Sequence, residues 1–155
     1  MKTVEQWLDE YGESHRNPAN KLLHWICVPA IVISLVGLLW YLPMPQQLRA
    51  ASPLLNWGTV LLVAAVLYYV AMSWSLALGM VLFVVAVLAS VTWLQSLPWP
   101  LWILCLGLFV VAWIGQFIGH HYEGKRPSFF KDVQFLLIGP LWLLSFVYRK
   151  LRIPY

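Results

Sequence analysis

Residues 50–122 read AASPLLNWGTVLLVAAVLYYVAMSWSLALGMVLFVVAVLASVTWLQSLPWPLWILCLGLFVVAWIGQFIGHHY, 73 consecutive positions without one Asp, Glu, Lys or Arg. Residues 22–48 add a further 27 uncharged positions. A water-soluble domain of 155 residues has no interior large enough to hide that much chain, and soluble domains carry roughly 25% charged residues against 10% here. The pattern excludes a soluble enzyme, a disordered chain and a secreted disulfide scaffold. It describes an all-α polytopic membrane protein folded as a single domain of helices.

A spanning helix needs about 20 apolar residues. Four segments meet that requirement: 22–42, 54–72, 76–97 and 99–119. The breaks are Pro43, Pro45 and Pro53, then Ser73-Trp74-Ser75, then Pro98-Trp99-Pro100. Many of the ten Trp lie near these ends, where an interfacial aromatic belt sits. A fifth run, 133–148, is short and carries Gly139-Pro140, so it reads as a re-entrant or interfacial helix. With four spans, nine of the ten Lys and Arg fall on one side and Arg49 alone on the other. The positive-inside bias then puts both termini in the cytoplasm, at a bacterial inner membrane or, in a eukaryote, the endoplasmic reticulum. The net charge of +4 therefore reflects topology. No basic groove with interleaved aromatics appears, so nucleic acid is not an expected partner.

Before the first span, Val4, Trp7, Leu8 and Tyr11 form an i, i+3, i+4, i+7 stripe on an otherwise acidic helix within residues 1–20. Its acidity argues against binding anionic lipid and for packing on the protein's own polar loops. The acidic residues and the lack of a small-residue cleavage site also argue against a cleaved signal. Asn17-Pro18 reads as a helix start, Asn at the cap and Pro at the first helical position. Cys27 and Cys105 fall inside apolar runs and read as small core residues.

Four histidines, His15, His24, His120 and His121, are all the chain has. Four spans return the chain to its starting side, so all four rings sit at one membrane face although 96 residues separate His24 from His120. Imidazole suits Fe, Zn or Cu, and a polar side chain inside a membrane segment points to function. The break at Asn17-Pro18 lets His15 fold back towards His24. Asn20 precedes His24 by four and Gln116 precedes His120 by four, so each shares a helix face with its histidine and is placed to fix its tautomer. Glu123, three residues after His120, is a candidate carboxylate ligand or catalytic group. His121 joins one metal with His120 only if the helix ends there, because adjacent helical residues point about 100° apart. Gly115 and Gly119 read as close helix packing. Lys21, Lys125 and Arg126 flank the histidines, either as topology signals or as cations for the carboxylate of an acyl chain. Two other readings stay open: a b-type haem held by His24 and His120, and a non-enzymatic membrane scaffold. A di-iron desaturase is excluded, since no H-x3-H box is present.

Tyr11-x3-His15-Arg16-Asn17-Pro18-x-Asn20-Lys21-x2-His24, followed by Pro29, and Gln116-Phe117-Ile118-Gly119-His120-x2-Glu123-Gly124-x-Arg126-Pro127 occur in that order. In these motifs the chain resembles the 2-hydroxy-fatty-acid dioxygenases of fatty-acid α-oxidation, over nearly its whole length. The resemblance implies an Fe(II) enzyme that uses O2 to shorten a 2-hydroxy long-chain fatty acid by one carbon, within the lipid bilayer. It implies His15, His24 and His120 as ligands, with His121 a fourth candidate, and Glu123 and Arg126 as an acidic and a basic partner; Lys21 joins Arg126 as a candidate substrate-binding cation by its place beside the histidines. Tyr11, Asn17, Asn20 and Gln116 would then support the ligands. Ser128-Phe129-Phe130 departs from the Pro-Ala-Leu-like residues expected after Pro127.

Overall fold

The computed structural model describes residues 2–52, 54–128 and 132–155, with residues 49 and 51 as backbone only. Pro53 of the first loop, and Phe129, Phe130 and Lys131 of the polar segment after His120, lie outside the described residues. Among the described residues there are seven α-helices and no strand: α1 (Val4–Gly12), α2 (Pro18–Leu39), α3 (Gln46–Ala51), α4 (Trp57–Met72), α5 (Trp74–Gln95), α6 (Leu101–Glu123) and α7 (Phe135–Leu151). Helices α2, α5 and α6, with 22, 22 and 23 residues, are long and apolar enough to cross a membrane.

Local chemistry sets the boundaries. Asn17 caps α2, its Oδ1 accepting from the Ala19 amide at 2.9 Å, and Pro18 takes the first position as expected. Ser73 ends α4 and caps α5 at once, so the expected hairpin is a single residue. Helix α4 has only 16 residues, shorter than the expected 54–72 span. The reason is a reciprocal cap, with Asn56 Oδ1 accepting from the Thr59 amide and Thr59 Oγ1 from the Asn56 amide, which starts the helix at Trp57 instead of Leu54. At the other extreme, α6 runs through His120, His121 and Tyr122 to Glu123, four residues past the expected end of the 99–119 span. Nothing breaks that helix until Gly124, which takes the left-handed conformation (φ 69°) that glycine adopts without steric cost.

Helices α2 and α6 are antiparallel and form the closest pair. A Cβ at Gly37 would overlap the Cys105 side chain, one at Gly115 the Cys27 sulfur, and one at Gly119 the Asn20 carboxamide. Small residues alternating between the two helices thus bring the backbones together along their whole length, as Gly-x-x-x-Gly packing does. The cysteines are therefore packing residues, free and buried. At the end of the bundle away from the histidines, Val36, Leu62, Val87, Val91, Leu101 and Cys105 form the core.

Helix α7 is continuous through Gly139-Pro140, which the sequence reading takes as an interruption. It is among the most buried elements, and its hydrogen-bond and aromatic partners on α2, α4 and α5 among the described residues lie near one end of the bundle. Leu137 accepts from Tyr69 Oη at 2.8 Å, Tyr148 Oη donates to the Ser75 carbonyl at 2.6 Å, and Phe146 faces Trp25. Tyr69 is near the end of α4, while Ser75 and Trp25 are near the starts of α5 and α2. Helix α7 therefore lies across the end of the bundle where α2 begins. Helix α1 packs on it through Trp7 and Tyr11 against Phe135 and Trp142. The apolar stripe of α1 is confirmed, with Val4, Leu8 and Tyr11 buried, but it covers an apolar helix and not polar loops. That follows from its composition, since an apolar stripe gains most by leaving water against another apolar face.

Candidate metal centre

Helices α2 and α6 and the turn between α1 and α2 bring His15, His24 and His120 together, each at least 95% buried. One nitrogen from each ring lies within 4.8 Å of the others. Ring centroids are 4.3 Å (His15–His24), 4.9 Å (His15–His120) and 5.1 Å (His24–His120) apart, with planes crossing at 78°, 72° and 85°. The three rings form a compact, mutually tilted triangle.

The tautomers follow from the hydrogen bonds. His15 Nδ1 lies 2.5 Å from the Tyr11 carbonyl oxygen, and His24 Nδ1 lies 2.9 Å from that of Asn20. A carbonyl only accepts, so both Nδ1 atoms carry the proton and donate. Both Nε2 atoms are then bare acceptors, and they face each other at 2.9 Å. Two lone pairs at that distance repel unless a cation lies between them. A shared proton is disfavoured, because burial, and next the His24 ring, push the His15 pKa down to about 3. A metal fits. With imidazole–metal bonds of about 2.0–2.1 Å, two ligands at right angles stand about 2.9 Å apart. His120 completes the set, and its Nδ1 is buried with no hydrogen-bond partner. The same spacing leaves no slot for a haem between His24 and His120.

The supporting groups are partly those expected and partly not. Asn20 fixes His24 through its backbone carbonyl and not, as expected, through its side chain. Its Nδ2 instead donates to the Ser14 carbonyl and to Glu123 Oε2, both at 3.1 Å. Glu123 lies outside the three-histidine group. It accepts from the Arg16 amide at 2.9 Å, the Asn17 amide at 2.8 Å and Asn20, clamping the end of α6 to the turn that carries His15. A carboxylate held by three donors is a positioning group. Asn17 Nδ2 adds a bond to the Tyr122 carbonyl at 3.1 Å. Tyr11 stacks on His15 at 4.1 Å with planes 11° apart, and burial raises its phenol pKa, keeping it a neutral donor.

His121 is exposed and outside the triad, as its 100° offset on an unbroken helix requires. Gln116 is buried and lines a cavity of about 60 Å³ beside His24 and His120, but makes no hydrogen bond to His120. Arg126 and Lys125 are exposed and line an open hollow whose wall also includes His120 and His121. Lys125 Nζ donates to the Glu13 carbonyl at 2.9 Å. Lys21 lines neither opening.

Four contributing residues were missed in the sequence. Trp142 of α7 packs against Tyr11 and His15, at 5.3 and 5.2 Å between centroids. Ser14 and Ser128 hydrogen-bond at 2.5 Å, joining the α1–α2 turn to the segment after α6. Trp113 lines the cavity below Gln116. For Trp113 alone, its place seven residues before His120 on the same helix face was a usable clue.

Fold and site together define a small all-helical protein of membrane-span-like helices with a buried three-histidine site able to hold a metal. The sequence profile of the Mpo1-like family, described as 2-hydroxy-palmitic acid dioxygenase Mpo1-like, matches residues 1–151, and the chain belongs to that family. It is 29% identical over 136 residues to the 2-hydroxy-palmitic acid dioxygenase MPO1 of Saccharomyces cerevisiae, covering 86% of this chain and 73% of the yeast protein. No solved structure matches the chain.

Proposed function

We propose that the protein is an integral membrane Fe(II)-dependent dioxygenase that uses O2 to shorten 2-hydroxy fatty acids by one carbon. The observation that carries this reading is the pair of bare Nε2 atoms of His15 and His24 facing each other at 2.9 Å beside His120. A scaffold role leaves those facing lone pairs without a reason. The activity by which the family is described supplies the substrate class. His15, His24 and His120 would hold the iron, which would supply the redox chemistry for O2 and 2-hydroxy acid. The reaction balances as 2-hydroxy acid plus O2 giving the one-carbon-shorter acid, carbon dioxide and water. The four electrons O2 accepts come from the hydroxyl-bearing carbon, which becomes a carboxyl, and from the old carboxyl carbon, which leaves as carbon dioxide.

The chain's own groups have distinct tasks in this scheme. Arg126 and Lys125, in the open hollow beside His120, attract the substrate carboxylate from the polar side. The cavity beneath His24 and His120 takes the first carbons of the apolar tail. Tyr11 and Trp142 hold the His15 ring and keep bulk water from it. Both termini and the histidine end face the cytoplasm. The test is O2-dependent loss of 2-hydroxypalmitic acid, with gain of the fifteen-carbon acid, by purified protein and by His15→Ala, His24→Ala and His120→Ala. Turnover by wild type and its loss in all three variants is expected. Full activity in the His120→Ala protein would overturn the reading.

A further inference from the structure

The cavity that begins at the histidines continues along two facing helices. On α2 its wall runs from His24 through Val28 to Ile31 and Val32, the i, i+4, i+7 and i+8 positions of one face. On α6 it runs from His120 through Gln116 to Trp113, the i−4 and i−7 positions. Because α2 and α6 are antiparallel and joined through small residues, these two rows descend side by side away from the polar end. Helix α7 supplies a further wall, including Leu136. Burial changes along the path. His24 and His120 are 1% and 5% exposed, while Ile31, Val32 and Trp113 are half-buried. The groove is closed at the histidines and open at its apolar end.

We propose that this groove is an acyl gauge of fixed reach. It holds the carbons next to the hydroxyl-bearing carbon between Val28 and Trp113 and lets the remainder of the chain leave into lipid. From His24 to Val32 the α2 wall descends about 12 Å at 1.5 Å per residue, the length of on the order of ten carbons of extended chain, of which the enclosed part of the groove, about 60 Å³, surrounds only the first few. The protein therefore reads the near half of a long acyl chain and does not measure its far end. Substrates of sixteen and of twenty-four carbons present the same face to it. The occupant is a single 2-hydroxy acyl chain, because the groove starts at the ligand histidines and its lining away from them is apolar apart from Gln116. This inference rests on the functional reading above.

The test is photo-cross-linking of the full protein in lipid nanodiscs with two 2-hydroxypalmitic acid probes, one bearing a diazirine at carbon 6 and one at carbon 15. The carbon-6 probe is expected to label the peptides holding Val28–Val32 and Trp113, and the carbon-15 probe to label lipid, with at least fivefold less label in those peptides. Val28→Trp, which fills the groove, is expected to cut carbon-6 labelling at least tenfold while iron content stays at the wild-type level. Val28→Phe gives the same direction with a smaller bulk, should the larger side chain prevent folding. Equal labelling of these peptides by both probes, or carbon-6 labelling elsewhere, would overturn the gauge. Labelling as expected without turnover would instead overturn the dioxygenase reading and leave the groove. Turnover without groove labelling would do the reverse.

Discussion

At the scale of single residues, the site depends on which nitrogen of each histidine is bare. The Tyr11 and Asn20 carbonyls accept from the Nδ1–H groups, so Nε2 of His15 and of His24 have only a cation to satisfy them. The grouping of the three histidines was legible in the sequence, since parity of the spans returns His120 to the side of His24. The separation of ligands from supports was not. Glu123 sits one helical turn from His120, as a ligand would, yet its carboxylate is engaged by the amides of Arg16 and Asn17 and by Asn20. Backbone donors of a turn more than a hundred residues away leave no trace in local spacing. Glu123→Gln keeps the shape but weakens charge-assisted bonds, and is expected to cost about 1–2 kcal/mol in thermal unfolding. Its activity loss should be partial, with iron still bound. Complete loss of iron in that variant would make Glu123 a ligand instead of a clamp.

At the scale of elements, the α2–α6 pair and the lid made by α1 and α7 position the triad. Gly115 and Gly119 announced the first in the sequence, because a four-residue glycine spacing marks close helix approach. The partner residues, Cys27 and Asn20, were visible as small or polar positions but not as the surfaces those glycines meet. Gly119→Val is expected to force α2 from α6, costing about 1–3 kcal/mol and lowering iron occupancy, measured by unfolding in detergent with metal analysis. A variant with wild-type stability and iron would show that the pair is not closely packed. Trp142 could not be found from the sequence, since a run carrying Gly-Pro gives no reason to place one aromatic over a histidine. In the structure it is 5% exposed against Tyr11 and His15. Trp142→Ala is expected to destabilise by about 3 kcal/mol and to reduce activity by freeing the His15 ring. Unchanged unfolding would remove α7 from the lid.

At the scale of the whole molecule, composition pointed to a membrane protein before any residue was assigned, through 73 uncharged positions in a row, and three of the described helices are long and apolar enough to cross a membrane. Exact spans were less legible. Apolar runs blur helix ends, and the reciprocal cap at Asn56 and Thr59 shortens α4 in a way hydropathy does not register. The fold places the start of α2, the end of α6 and helix α7 at one end, with eight of the nine cations assigned there among the described residues. Single cysteines placed at Thr3 and Ile153 are expected to react with a membrane-impermeant thiol reagent only from the cytoplasmic side, and one at Gln46 only from the opposite side. Labelling of positions 3 and 153 from opposite sides would reject this topology. The central claim, that three histidines and no fourth hold the metal, is tested most directly by the iron content of purified protein. About one iron per chain is expected in wild type and in His121→Ala, and less than one tenth of that in His15→Ala, His24→Ala and His120→Ala. Wild-type iron in the His24→Ala protein, or its loss in His121→Ala, would contradict it.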